Sequence, residues 1–293
     1  MLANSPVCDF RFLGRDWLIK RDDLLDTDLN GNKARKLYTF AINGFGADRV
    51  ISYGGAQSNA MYSLSALAKK QNVKFIYYTK KLPLTIRQNQ SGNLAAALEN
   101  GMELVEVEHS RYDETVSNLL TSTPQNTIVV RQGGADRYAA DGIRLLAKEL
   151  NDYAKAKNLK NPVAVLSAGT GATAGYLSEY LDFECVCVPA VSNGAFLDSE
   201  FDRLGVNKKP TIIETNEKIP FAAPDKKLIE IYLRLLDAGI EFDLIYDAKC
   251  WLAVSENIGF FEGRDTIFVH SGGTLGNKTQ LERYRHKGLL GVD

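Results

Sequence analysis

Four apolar runs in this chain stop at glycine-containing turns: RVISY before GGAQSNA, TIVVR before QGGAD, VAVLS before AGTGATAG, and TIFVH before SGGTLG. A strand that feeds a glycine turn, followed by a helical pattern, is the repeating unit of an α/β fold with a largely parallel sheet. Such turns gather at the carboxyl ends of the strands, where open α/β sheets bind their ligands. Strands are predicted at 49–53, 73–78, 103–107, 127–131, 163–167, 184–188 and 266–270. Helices are predicted at 59–71, 92–100, 142–157, 172–180 and 225–238. In the third helix Ile143, Leu146, Leu150 and Tyr153 fall on one stripe, and in the last Leu228, Ile231 and Leu235 do so.

A length of 293 residues suits one large domain or two smaller ones, at about 100–200 residues each. No internal repeat and no linker rich in Pro, Gly or Ser is present, so two domains would pack closely, with more than one chain crossing. Hydrophobic residues make up 45%, enough to bury a sizeable core. A net charge of −1 and a sequence pI near 6.4 argue against a nucleic-acid binder held by phosphate neutralisation. No segment reaches the about 20 apolar residues of a membrane span. Charges at Asp9, Arg11, Arg15 and Asp16 interrupt the place where a secretory signal would have its apolar run. A cytoplasmic location is therefore expected. Cys8, Cys185, Cys187 and Cys250 are too few and scattered for a disulfide framework. Cys185 and Cys187 read as small buried side chains on one face of a strand. His109, His270 and His286 show no ligand spacing, and no metal site is expected.

The sharpest loop is SAGTGATAG, 167–175. A strand running through a glycine turn into a helix aims several backbone N–H groups at one point, which suits an anion. No Gly-Lys-Ser/Thr closes it, and glycines at 169, 171 and 175 miss the dinucleotide spacing. A single compact phosphate fits best, with hydroxyls of Thr170 and Thr173 adding hydrogen bonds; the alternative is a plain tight turn. In YGGAQSNA, 53–60, Ser58 and Asn59 stand at a helix start, where they either cap or hold an anion. Near the amino terminus Asp22 and Asp23 precede a turn, Asn30-Gly31-Asn32, and then Lys33, Arg35 and Lys36. Arg35 and Lys36 read as a solvated helix start. Lys33, directly after the turn in a chain with a single-phosphate loop, is a candidate for Schiff-base chemistry.

GNKARKL, YGGAQSN, SAGTGATAG, IYDAK and HSGGTLG occur in this order. Together they resemble the 1-aminocyclopropane-1-carboxylate (ACC) deaminase / D-cysteine desulfhydrase family of pyridoxal 5′-phosphate (PLP) enzymes, with the tryptophan-synthase-β-like fold of type II. The resemblance implies two open, twisted, mostly parallel sheets flanked by helices, with PLP in the cleft between two domains. Residues 1–41 and 142–293 would form the large domain and 42–141 an inserted small one. Lys33 would carry PLP as a Schiff base. Asn59 would hydrogen-bond the ring oxygen, and Ala168, Gly169, Thr170, Gly171, Ala172 and Thr173 would cradle the phosphate. Ser271 would face the pyridine nitrogen. Gln57, Ser58 and Asn59 would hold a small amino-acid substrate, with Ser58 also taking part in catalysis and Tyr246 over the reacting carbon. A homodimer is the family expectation.

The chain departs from the pattern in ADRYAADGI after Gly134, in Ala248 where a glycine is usual, and in a long loop at 189–224. D-Cysteine would lose its Cα proton and then sulfide, giving pyruvate and ammonia; ACC would open its ring to 2-oxobutyrate and ammonia. In the family, ACC deaminases place Glu directly after the tyrosine and Leu at the Ser271 position, and desulfhydrases place hydroxyls at both. This chain has Asp247 and Ser271. Ser271 favours D-cysteine desulfhydrase, with ACC deaminase or another PLP lyase or racemase as the alternatives.

Overall fold

The computed structural model describes residues 2–29, 31–88 and 90–291. The Asn30 end of the expected turn lies outside them. Among the described residues ten strands form two sheets. β1 (Val7–Phe12) and β2 (Arg15–Arg21) make a hairpin; β3 (Arg49–Tyr53), β4 (Lys74–Lys80), β5 (Glu103–Val107) and β6 (Thr127–Val130) follow. β7 (Val163–Ala168), β8 (Glu184–Pro189), β9 (Thr211–Ile212) and β10 (Thr266–His270) complete the set. The six-stranded sheet has the order β1-β2-β10-β7-β8-β9 and the four-stranded one β5-β4-β3-β6. Every pairing is parallel except the β1–β2 hairpin. Two mostly parallel sheets flanked by helices are thus what the motifs predicted. All strands of the smaller sheet come from 49–130, and those of the larger from both sides of that stretch.

β7 runs through the middle of the larger sheet, and all six of its residues are buried. Its period of two splits the core. Val163 and Val165 join Phe268, Trp251 and the helices Lys226–Asp237 and Asp247–Glu256 on one face. Ala164, Leu166 and Ala168 join the helices Ala139–Ala156 and Ala172–Tyr180 on the other. Cys185 and Cys187 point together into that second face, as expected, and both are buried. Ile143, Leu146 and Leu150 are fully buried, with Tyr153 at the edge of the stripe. Asp225 caps the helix Lys226–Asp237 by accepting from Lys227 N at 2.8 Å.

Two expectations are corrected. The stretch 189–224 is not one long loop. It holds β9 and the helix Gly194–Leu204, whose Asn193 cap accepts from Phe196 N at 3.0 Å. Leu197 and Phe201 of that helix are buried in the second core, which is why it folds there. Nor are Arg35 and Lys36 solvated: Arg35 is 0% exposed and Lys36 6%. The Arg35 guanidinium makes paired hydrogen bonds to Asp22 and to Glu149 at 2.7–3.0 Å. Lys20 Nζ meets Glu149 at 2.6 Å, and Ser5 Oγ donates to Asp22 at 2.6 Å. A buried cation is tolerable only when so paired. This cluster anchors the five-residue helix Asn32–Lys36 from beneath.

Candidate active site

Lys33 leaves that short helix just after Gly31, whose φ of +55° a side chain rarely adopts. The turn is pressed onto the loop after β10: a Cβ at Gly31 would lie 1.8 Å from the Ser271 carbonyl oxygen. Asn32 N donates to that same oxygen at 2.8 Å. Lys33 and Ser271 are therefore held side by side by backbone, although they are far apart in sequence. The Lys33 amine donates to Asn32 Oδ1. Burial lowers its pKa to about 8, against an upward pull from Asp243. Lys36, one turn further, donates to the Gly133 carbonyl at 3.0 Å. Burial, with the charge of Lys33 added, holds its pKa well below the usual lysine range.

The loop after β7 is the glycine turn singled out in the sequence. Gly171 has φ +78° and opens the helix Ala172–Tyr180. Phe201 of the 194–204 helix supports it from behind, 3.1 Å from a Cβ placed at Gly171. Gly169 lies under the ring of Tyr246, 3.1 Å from a Cβ to its Cε1. The hydroxyls of Thr170 and Thr173 are buried and have no hydrogen-bond partner among the described residues. Such orphans are uncommon, because a buried unpaired polar group costs about 1–3 kcal/mol. Gly133, after β6, packs on Thr170, so the smaller sheet closes one side of this loop.

Ser58 caps the helix Asn59–Lys70, its hydroxyl accepting from Met61 N at 3.3 Å. Asn59 accepts from the buried Asn93 amide at 2.7 Å. Its Nδ2 lies 2.7 Å from where a Gly273 Cβ would be. Gln57 is turned away: its amide donates to the Ser91 carbonyl and accepts from Asn93 N, each at 3.0 Å. Those contacts secure the 91–93 turn.

Tyr246 stands at the start of the helix Asp247–Glu256, edge-on to Phe221 with ring centroids 5.7 Å apart. Burial, then the charge of Asp243, raises its pKa. Asp243 accepts from the Ile245 and Tyr246 amides. Burial and the charge of Asp247 push its carboxyl up to about 7 despite those bonds. The Ser271 hydroxyl is buried and has no hydrogen-bond partner among the described residues. Asp247 is fully buried between Ser167 and His270.

The structure thus brings together Lys33, Asn59, Tyr246, Ser271 and the 168–173 loop, with Ser58 at the adjoining helix start. Sequence reasoning missed Lys36, Asn93, Asp243 and His270. Asp243 left a readable trace, a lone acid in the apolar run FDLI. The others gain their place only through contacts distant in sequence.

Solved structures share this fold of two mostly parallel sheets flanked by helices. A crystal structure described as an ACC deaminase homologue superimposes with a TM-score of 0.78 at 22% identity, covering 97% of this chain and 95% of that one. A Thermotoga maritima protein named as a candidate ACC deaminase is 26% identical over 291 residues, covering 90% of this chain and 91% of its own length. A bifunctional D-cysteine desulfhydrase/ACC deaminase of Arabidopsis thaliana is 25% identical over 304 residues, covering 90% of this chain and 73% of the relative. No family model matches the chain. The resemblance drawn from the motifs is borne out in these relatives, which carry both of its names.

Proposed function

We propose that this chain is a PLP-dependent enzyme that breaks a small amino acid down to a 2-oxo acid and ammonia, with D-cysteine as the favoured substrate. The observation that carries this reading is the set of three buried hydroxyls, Thr170, Thr173 and Ser271, that have no hydrogen-bond partner among the described residues, together with a buried lysine of pKa about 8. A phosphate at the 168–173 loop would satisfy the two threonines and meet the N–H groups of the helix start. The Lys36 amine, held at Gly133, would stand beside that loop as a further donor. Ser271 would give the cofactor's ring nitrogen a hydroxyl partner, and Asn59 would give the ring oxygen an amide.

Bound PLP supplies an electron sink for the carbon that bears the substrate's amine. The chain's own residues do the rest. Lys33 would hold the cofactor and would be the group to take the proton from Cα of D-cysteine; its lowered pKa makes a neutral amine available near neutral pH. Ser58 and the first amides of its helix hold the carboxylate. Tyr246, protonated throughout the working range, covers the reacting carbon and excludes water. Sulfide then leaves from Cβ, and addition of water gives pyruvate and ammonia.

The relatives' names support ACC deamination as the second reading. The two are separated by purifying the protein with PLP and assaying sulfide from D-cysteine beside 2-oxobutyrate from ACC. Sulfide with pyruvate supports the first; 2-oxobutyrate without sulfide replaces it with the second.

We also propose the division into a large domain, 1–41 and 142–293, and a small one, 42–141; the segregation of the two sheets supports it. A cytoplasmic homodimer remains the expectation. No helix among the described residues is long and apolar enough to cross a membrane.

A further inference from the structure

The amide of Asn59 could face the site with either end, and its own contacts fix which. Asn93 is 0% exposed and stands in the first turn of the helix Gly92–Glu99. Its side-chain nitrogen reaches the Gln57 carbonyl oxygen at 2.9 Å and Asn59 Oδ1 at 2.7 Å. A backbone carbonyl only accepts, so the end of Asn93 that meets it must be Nδ2. That nitrogen in turn requires an acceptor from Asn59, so Asn59 turns its oxygen toward Asn93. The Asn59 nitrogen points away, 2.7 Å from where a Gly273 Cβ would be. Asp243 Oδ2 lies 2.9 Å from that same place, so the nitrogen is also on the side of an acidic group. Gln57 is fixed in the same manner. Its nitrogen donates to the Ser91 carbonyl at 3.0 Å, which leaves Oε1 to accept from Asn93 N at 3.0 Å. Gly92 lets the turn come this close: a Cβ there would lie 2.9 Å from Gln57 Oε1. Stability alone does not account for Asn93. Its Oδ1 is buried with no hydrogen-bond partner among the described residues, a cost that a tie between two helix starts need not carry.

We propose that Asn93 is a positioning residue that locks Asn59 with its nitrogen toward the site, so that this position takes only a hydrogen-bond acceptor. The lock is anchored on backbone, directly at the Gln57 carbonyl and through the Gln57 side chain at the Ser91 carbonyl. The step to a ligand rests on the PLP reading above: the acceptor at Asn59 is the cofactor's ring oxygen. A donor that cannot turn favours the ionised form of that oxygen over the protonated one. An amide free to turn would offer its oxygen as readily as its nitrogen and would favour neither. Gln57, expected from its motif to touch the substrate, serves in this scheme as the second anchor.

The orientation is tested without cofactor, by nuclear Overhauser contacts from the Asn59 side-chain amide protons in the apo-protein. Contacts to the Gly273 α-protons are expected. Their absence overturns the lock, and the wild-type spectrum decides this even if no variant folds. In Asn93→Asp an ionised side chain only accepts, so Asn59 should turn its nitrogen toward it and the Gly273 contacts should vanish. Their persistence would show that Asn93 does not set the orientation. The effect on the site is read by absorbance titration with PLP and with the PLP analogue that lacks the ring oxygen. The wild type is expected to bind PLP about tenfold tighter than the analogue. In Asn93→Asp and Asn93→Ala that preference should shrink to within about a factor of two, through loss of PLP affinity. Equal weakening of both ligands, with the preference kept, marks a merely structural residue and overturns the proposal. A protein that takes up no PLP defeats the proposed function, while the Gly273 contacts still decide the orientation.

Discussion

Gly142 and Arg35 meet so closely that a Cβ on the glycine would lie 2.0 Å from the arginine's carbonyl oxygen. The atom in the way is backbone, so it cannot swing aside. This contact sets the long helix Ala139–Ala156 against the short one that carries Lys33. Alanine in place of glycine in a helix gains about 1 kcal/mol of propensity. Overpacking a rigid contact costs about 1–3 kcal/mol or more. Gly142→Ala is expected to lower stability on balance and, by shifting the short helix, to weaken PLP uptake. Urea denaturation and PLP absorbance titration check both; a stabilised variant with normal uptake would show the contact to be slack.

Removing one partner of the Arg35 cluster leaves a buried charge uncompensated. Glu149→Gln is expected to cost about 3 kcal/mol. Burial would raise the Glu149 pKa, but the Arg35 bonds outweigh it and hold the carboxyl below its ordinary value. A depressed folded-state pKa gives stability that is present above the unfolded carboxylate pKa and lost as pH falls through the folded one. Wild-type stability should therefore fall on acidification below about pH 4.5, and the glutamine variant should show a shallower fall. Urea midpoints measured at descending pH read the difference.

The Lys33 amine should react with carbonyl compounds at lower pH than an ordinary lysine. Borohydride trapping of PLP, followed by peptide mapping, is expected to label Lys33 with a yield that rises through pH about 8. Lys33→Ala should abolish that labelled peptide. Labelling spread evenly over surface lysines in the wild type would remove Lys33 from its assigned role.

An orphaned buried hydroxyl adds no stability to the apo-protein. Thr173→Val keeps the shape and is expected to leave the apo-protein's melting temperature unchanged or raised. A hydrogen bond to a charged phosphate is worth about 1.5–3 kcal/mol, so PLP affinity should drop about 10- to 100-fold. An affinity within a factor of two of wild type would place the phosphate elsewhere.

The central strands and their glycine turns were readable because each is buried on both faces and bounded by residues that stop a strand. The β1–β2 hairpin was not. Its two-residue turn is Leu13-Gly14, with Leu13 at φ +51°. The usual signal there is Asn or Gly, and leucine hides it. The Gly194–Leu204 helix was hidden because only Leu197 and Phe201 of it are fully buried. In the site, Lys33, Asn59, Tyr246 and Ser271 came from motif order. Arg35 was misread because its partners Asp22 and Glu149 stand 13 and 114 positions away. Local charge patterning reports a solvated face unless those partners are known. Gln57 sits in the same motif as Ser58 and Asn59, yet its amide is spent on the neighbouring turn.

The two sheets touch through glycines: Gly133 against Thr170, and Gly273 against Asn59. At neither place is there room for so much as a methyl group without displacement. The aperture between the sheets is thus set where two glycines pack on the Thr170 and Asn59 side chains, while the side chains at its rim remain free to vary. A change of substrate can arise on the rim without disturbing closure, whereas a change at Gly133 or Gly273 would alter whether the two halves close at all. Selectivity and enclosure are written at separate addresses in this chain and can evolve independently.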